Sequence, residues 1–148
     1  MNNNPHLRRA PWMDYKDPSI LMITLVTTNR QPILGILKGE TIERTKLGQA
    51  IAEEINRIPT YNGAESIEIY SYVIMPDHIH AIMILNGEAA GASPRPTIMD
   101  IVCSYKSLTT RECKKNGFGG KLFQTSFYEH IIRDKEDYEE IVKYIYEN

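Results

Sequence analysis

Residues 66–85 read SIEIYSYVIMPDHIHAIMIL, and this stretch decides the fold. Two runs rich in Ile, Val and Tyr, each of strand length, flank the pair Pro76-Asp77. Proline and aspartate both favour a turn, so the pair separates the runs tightly. The pattern predicts strands over 66–75 and 78–85, lying beside each other in antiparallel order. On the second strand His78 and His80 are two positions apart, so both imidazoles project from one face, while Ile79 points to the other, into a core. At roughly 3.3 Å per residue their Cα atoms sit about 6.5–7 Å apart, close enough for the two rings to converge on one cation. The same spacing also suits two hydrogen-bonded histidines on a half-exposed strand.

Two histidine-based enzyme patterns can be checked at position 82. A histidine-triad nucleotide hydrolase needs a third His there, and a two-histidine phosphoesterase needs Thr. The residue is Ile82, which disfavours both.

Working outward, residues 1–17 form a polar arm punctuated by Pro5 and Pro11 and carrying Arg8, Arg9, Trp12, Tyr15 and Lys16. Ile20 to Thr28 is a β-branched run of strand length. Ile33–Leu37 and Glu40–Arg44 around Gly39 read as a small hairpin. Leu47, Ile51, Ile55 and Ile58 recur at helical spacing, with Glu53, Glu54 and Arg57 expected to face out, and Pro59 ends the helix. Downstream of the histidines, residues 86–96 are loop by composition. Residues 97–115 read as a helix with Ile98, Ile101, Val102, Tyr105 and Leu108 on one side. A Gly-rich stop follows at 116–120, then a strand over 122–132. Asp134 caps a last helix from Lys135 to Asn148, with Asp137 in a position resembling a capping box. The order is β, hairpin, α, β, β, α, β, α. It predicts an α+β, ferredoxin-like βαββαβ core with helices packed on an antiparallel sheet, plus the C-terminal helix. Residues 1–17 are an arm and 18–148 a single domain.

The chain has 148 residues, 42% hydrophobic and 24% charged, and can bury a core without disulfides or a structural metal. A net charge of −2 argues against a strongly basic DNA coater but allows a local basic patch. Cys103 and Cys113 lie ten apart in a predicted helix, about 15 Å of rise, too far for a bridge. They are expected as two reduced core thiols of a cytoplasmic protein. Arg8 and Arg9 lead into no apolar segment, and no run is long enough to span a membrane.

The last helix carries Tyr138, Tyr144 and Tyr146. At 100° per residue, Tyr138, Ile141, Val142 and Ile145 form one apolar stripe. Tyr144 and Asn148 lie about 40° apart at one edge of it, whereas Tyr146 falls on the opposite edge. Tyr138 is therefore expected in the core, and Tyr144 and Tyr146 cannot serve one site.

These segments resemble a known family. Tyr72–Leu85 is similar to the HUH motif of single-strand transposases, and Phe123–Asn148 (FQTSFYEHIIRDKEDYEEIVKYIYEN) resembles the C-terminal signature of REP-associated tyrosine transposases. Gly39-Glu40, Leu47–Ile51 and Ser104-Tyr105-Lys106-Ser107 also look like that family. The resemblance implies that His78 and His80 bind a divalent metal, Mg2+ or Mn2+, with Asn148 completing the site, and that Tyr144 is the nucleophile. It implies cleavage and strand transfer on single-stranded DNA at hairpin-forming repeats, leaving a 5′-phosphotyrosine and a 3′-OH. Relatives act as monomers or homodimers. A phenol is a weak nucleophile at neutral pH and needs activation by the metal or by substrate oxygens. For DNA recognition, Arg8, Arg9, Lys16, Trp12 and Tyr15 combine charge with stacking surface. Lys106, Arg111, Lys114 and Lys115 on the second long helix offer phosphate contacts, and Arg133 can reach a phosphate as well. The alternative is a ferredoxin-like domain that binds single-stranded nucleic acid without cutting it. A metal-sensing regulator would need more Cys and His.

Overall fold

The computed structural model describes residues 19–86 and 94–147. The arm, with Arg8, Arg9, Trp12, Tyr15 and Lys16, lies outside the described residues, as does Asn148. The elements are β1 (Ser19–Val26), β2 (Gly35–Lys38), β3 (Thr41–Arg44), α1 (Lys46–Arg57), β4 (Ile67–Ile74), β5 (His78–Leu85), α2 (Pro94–Lys115), β6 (Tyr128–Ile132) and α3 (Lys135–Glu147). Four strands form one sheet in the order β4-β5-β1-β6, every neighbour antiparallel. With the β2–β3 hairpin set aside as its own two-stranded sheet, this is the ferredoxin-like arrangement expected.

Strand alternation divides the sheet into two faces. Leu21, Ile23 and Leu25 of β1 and Ile79, Ala81, Met83 and Leu85 of β5 are buried with Ile51 and Ile55 of α1 and Ile98, Ile101 and Tyr105 of α2. The intervening residues Ile20, Met22, Ile82 and Ile84 form a second core with Tyr138, Val142 and Ile145 of α3. Ile79 therefore points into the main core, as its place between the histidines requires. Strand β4 shifts register between Ile69 and Ser71. The extra residue, Tyr70, drops into the α3-side core, where its hydroxyl accepts a hydrogen bond from Tyr138 at 3.0 Å. One inserted residue swaps the faces of everything beyond it, which is why β4 alternates only in part.

Helix α1 starts one residue earlier than its apolar pattern, because Thr45 caps it: Thr45 Oγ1 accepts from Gly48 N at 3.1 Å. Gly48 is required there, since a β-carbon would stand 2.0 Å from the Leu34 carbonyl oxygen. Leu34 N in turn donates to Pro76 O at 2.9 Å, so this contact anchors the turn that precedes His78.

Four expectations are corrected. Glu54 does not face solvent: it is buried, accepting from Tyr61 Oη at 2.5 Å and pairing with Arg57 at 3.1 Å. Burial and the Glu54 carboxylate push the Tyr61 hydroxyl well above its usual range. Of the two cysteines, neither disulfide-bonded, Cys113 is buried but Cys103 is exposed. Strand β1 ends at Val26, because the chain turns at Thr28–Arg30. The strand expected over 122–132 pairs as a ladder only from Tyr128. Upstream, the segment makes an isolated bridge, Thr27 to Phe123, and is held by the Lys106 ammonium. That group donates to the carbonyls of Gln124, Thr125 and Ser126 at 2.8, 2.9 and 3.2 Å.

Among the described residues no helix is long and apolar enough to cross a membrane.

Candidate active site

The residues of the α3-side face change character along the strands. Toward one end they are Ile84, Ile82, Ile20 and Met22, covered by α3. Toward the other they are His80, His78 and Thr24. Register places Thr24 opposite His80 and Val26 opposite His78. An open cleft of about 570 Å3 lies over this end, lined by Thr24, Arg30, His78, His80, Tyr128 and Tyr144 among others.

His78 and His80 project from one face with ring centroids 4.8 Å apart. Each Nδ1 is held inside the chain. His80 Nδ1 lies 2.8 Å from Thr24 Oγ1, and His78 Nδ1 lies 2.7 Å from Asp77 Oδ1. Each ring is thus oriented by a hydroxyl or carboxylate, the arrangement that metal-bound histidines typically use, and each would ligate through Nε2. His80 is only 2% exposed. Burial, reinforced by the neighbouring His78 charge, pushes its pKa down to about 4, so the ring is neutral, the form that binds a metal, throughout the physiological range. Burial alone would raise the Asp77 carboxyl, but its hydrogen bond to His78 and the charges of His78 and Arg30 hold it below the usual range.

Among the described residues no cluster of three or more His, Cys, Asp or Glu side chains could hold a metal. The donor set here is two imidazole nitrogens. Two pre-oriented imidazoles on an open cleft fit a divalent cation that takes its remaining oxygen ligands from elsewhere.

Tyr144 reaches this cleft from α3. The stripe predicted for that helix is the buried one: Tyr138, Val142 and Ile145 are buried and Ile141 packs against them. Tyr144, at the stripe's edge, is 55% exposed, and its ring centroid is 5.5 Å from that of His80. The helix is fixed at its start by Asp134, whose Oδ1 accepts from Asp137 N at 2.8 Å. The Asp137 carboxylate accepts from Arg133 N at 3.2 Å and lies 2.9–3.0 Å from His130 Nε2. Tyr128 joins the cleft from the edge strand β6, 64% exposed and paired with Thr24.

The cationic residues expected on α2 lie elsewhere. Arg111 and Lys114 line a separate groove of about 580 Å3 with Lys106, Lys121, Gln124 and Thr125. Lys106 itself is tied down by the three carbonyls and stands 5.9 Å from the Phe127 ring. With all three ammonium donors occupied, it shapes the groove from within rather than presenting charge to a phosphate. Lys115 pairs with Glu112 at 3.6 Å. Arg133 is exposed at the start of α3.

Thr24, Asp77 and Arg30 were not singled out from sequence. Asp77, adjacent to His78, was legible as an orienting carboxylate. Thr24 depends on the pairing of two strands 56 residues apart, and Arg30 on the left-handed form of a turn that Asn29-Arg30-Gln31-Pro32 itself signals.

The IS200-like transposase family model matches residues 23–148. The chain belongs to the IS200-like transposase family, and that membership gives it a transposase-like, DNA-processing role. Among solved structures, it resembles a REP-associated tyrosine transposase bound to a REP hairpin, with a TM-score of 0.63 and 22% identity over 93% of this chain and 70% of that one. It also resembles a candidate transposase from Deinococcus radiodurans, with a TM-score of 0.56 and 19% identity over 93% and 96% of the two chains. Both likenesses show the fold. An uncharacterized protein of Haemophilus influenzae is 27% identical over 155 residues, covering 95% of this chain and 85% of that protein.

Proposed function

We propose that this chain is a metal-dependent single-stranded DNA nicking and strand-transfer enzyme. Tyr144 attacks a scissile phosphate to give a 5′-phosphotyrosine and a 3′-OH, at hairpin-forming DNA. The observation that carries this reading is the convergence of His78, His80 and Tyr144 on one cleft, from a strand and a helix far apart in sequence. A divalent ion, Mg2+ or Mn2+, held by the two imidazoles would act as a Lewis acid toward a non-bridging oxygen of the phosphate. Asn148, four residues beyond Tyr144 in sequence, is the proposed third protein ligand.

The chain's own residues then divide the work. Thr24 and Asp77 orient the imidazoles, and burial keeps His80 unprotonated. The buried stripe of α3 fixes the helix, and Tyr144 at the stripe's edge stays exposed and lines the open cleft. The covalent phosphotyrosine conserves the energy of the phosphodiester, so a 3′-OH can attack it and reseal a strand, which hydrolysis would prevent. Exposed Arg111, Lys114 and Arg133, and Arg8, Arg9, Trp12, Tyr15 and Lys16 of the arm, are proposed to hold DNA backbone and unpaired bases.

The test is incubation of the full chain with hairpin oligonucleotides taken from the DNA flanking its own gene, with Mn2+ or with EDTA. A covalent protein–DNA adduct that needs the metal and an unpaired tail supports the reading. Hairpin binding with no adduct in any divalent ion would leave a binding domain instead.

A further inference from the structure

Between β1 and β2 the chain turns through two successive residues in the left-handed region, Asn29 at φ 56° and Arg30 at φ 53°. Gln31 N donates to Thr28 O at 3.3 Å, which makes these two the centre of a tight turn with both central φ values positive. Such a turn suits Asn at its first central position and favours Gly at the second. An arginine there sets its β-carbon against a carbonyl oxygen, a strain that glycine avoids. A loop that only had to turn would do better with glycine. The side chain is therefore what this position serves, and strained backbone of this kind gathers at functional sites.

That side chain runs to the cleft. Arg30 Nε lies 3.3 Å from Asp77 Oδ2, while the other oxygen of the same carboxylate holds His78. One aspartate thus aligns a guanidinium and an imidazole on the same opening. Arg30 lines the cleft together with His78, His80 and Tyr144, and among the described lining residues it is the one permanent cation. Its side chain is 61% exposed, so the ion pair with Asp77 adds little to folding and does not account for the strained backbone. With Nε on Asp77, the two Nη groups form the end of the fork that can meet an oxyanion, and guanidinium geometry matches phosphate oxygens.

We propose, on the tyrosine-cleavage reading above, that Arg30 is a catalytic residue: its guanidinium binds a non-bridging oxygen of the scissile phosphodiester and stabilises the charge that builds there during attack. The Tyr144 oxygen forms the new bond to phosphorus and gives its proton to water. The bond from phosphorus to O3′ breaks with its electron pair on O3′, which takes a proton from water. Arg30 stays protonated throughout.

Arg30→Gly separates this role from a structural one, because glycine relieves the turn. The full chain and the variant are compared with Mn2+ and a gene-flanking hairpin oligonucleotide under single-turnover conditions. The variant should melt no lower than the parent and form adduct slower by about 100-fold, the usual scale for losing one oxyanion donor. With a methylphosphonate at the scissile linkage, which removes the charged oxygen, the two proteins should react at nearly the same rate. A variant that melts like the parent and reacts as fast overturns the role of Arg30 and leaves the tyrosine reading intact. A variant that melts clearly lower overturns the claim that the backbone there is held against its preference. A parent that forms no adduct overturns both readings.

Discussion

The two faces of the one sheet are built from alternate residues of the same strands, yet they end differently. The face under α1 and α2 is apolar from end to end, with Leu21, Ile23, Leu25, Ile79 and Ala81 all buried. The face under α3 is apolar only where the helix stripe covers it, and beyond that it carries Thr24, His78 and His80 beneath an open cleft. Two helices close a face, whereas one helix crossing a sheet leaves an end uncovered. In this chain the uncovered end is where the titratable residues stand and where Tyr144 projects from the helix edge. The closed face supplies rigidity, and the half-closed face carries the groups on which the proposed chemistry rests.

This contrast can be broken at two adjacent residues. His78→Ala should abolish metal-dependent adduct formation while changing stability by no more than about 1 kcal/mol, the scale of one hydrogen bond. Ile79→Ala, one residue along on the other face, should cost about 2–5 kcal/mol of stability through the cavity it leaves. Chemical denaturation and an adduct assay on both proteins check the pair. Equal destabilisation would mean that the faces are not divided as described.

A smaller effect is expected one step back from the two histidines of the proposed metal site. Thr24→Val keeps the side-chain shape but removes the hydroxyl that meets His80 Nδ1. Such orienting partners typically contribute about 10–100-fold in metal affinity. Calorimetric Mn2+ titration should show a loss in that range with the melting temperature nearly unchanged. An unaltered affinity would remove Thr24 from the site.

The smallest effect is on the pH dependence of stability. The His80 pKa is about 4 in the folded chain, below an unfolded value of about 6.5. Between these values the unfolded chain binds more protons, so stability from the neutral ring is full above about pH 6.5 and is lost as pH falls toward 4. In His80→Gln the fall in melting temperature between pH 7 and 5 should be shallower than in the parent. Identical slopes would show that His80 is not held neutral by its surroundings.

The elements that sit on one side of a periodic pattern were legible in the sequence. The His-x-His face needs only the two-residue repeat of a strand, and the Tyr144 edge needs only 100° per residue. Features that depend on distant partners were not. Glu54 looks solvent-facing until Tyr61 and Arg57 fold over it. The 122–127 stretch has strand composition, but Lys106 takes its carbonyls and keeps it out of the ladder. Arg30 was hidden for the opposite reason. Its identity argues against the left-handed turn it occupies, so only the backbone reveals that something holds it there.

The measurement that bears most directly on this account is the mapping of the trapped adduct. Protein cross-linked to the 5′ end of a cleaved hairpin strand is digested, and the DNA-linked peptide is identified by mass. The account predicts a phosphotyrosine at Tyr144, and its complete loss in Tyr144→Phe, a protein whose fold should match the parent within about 1 kcal/mol. A modified Tyr128, which shares the cleft, or an adduct that persists in Tyr144→Phe would contradict it.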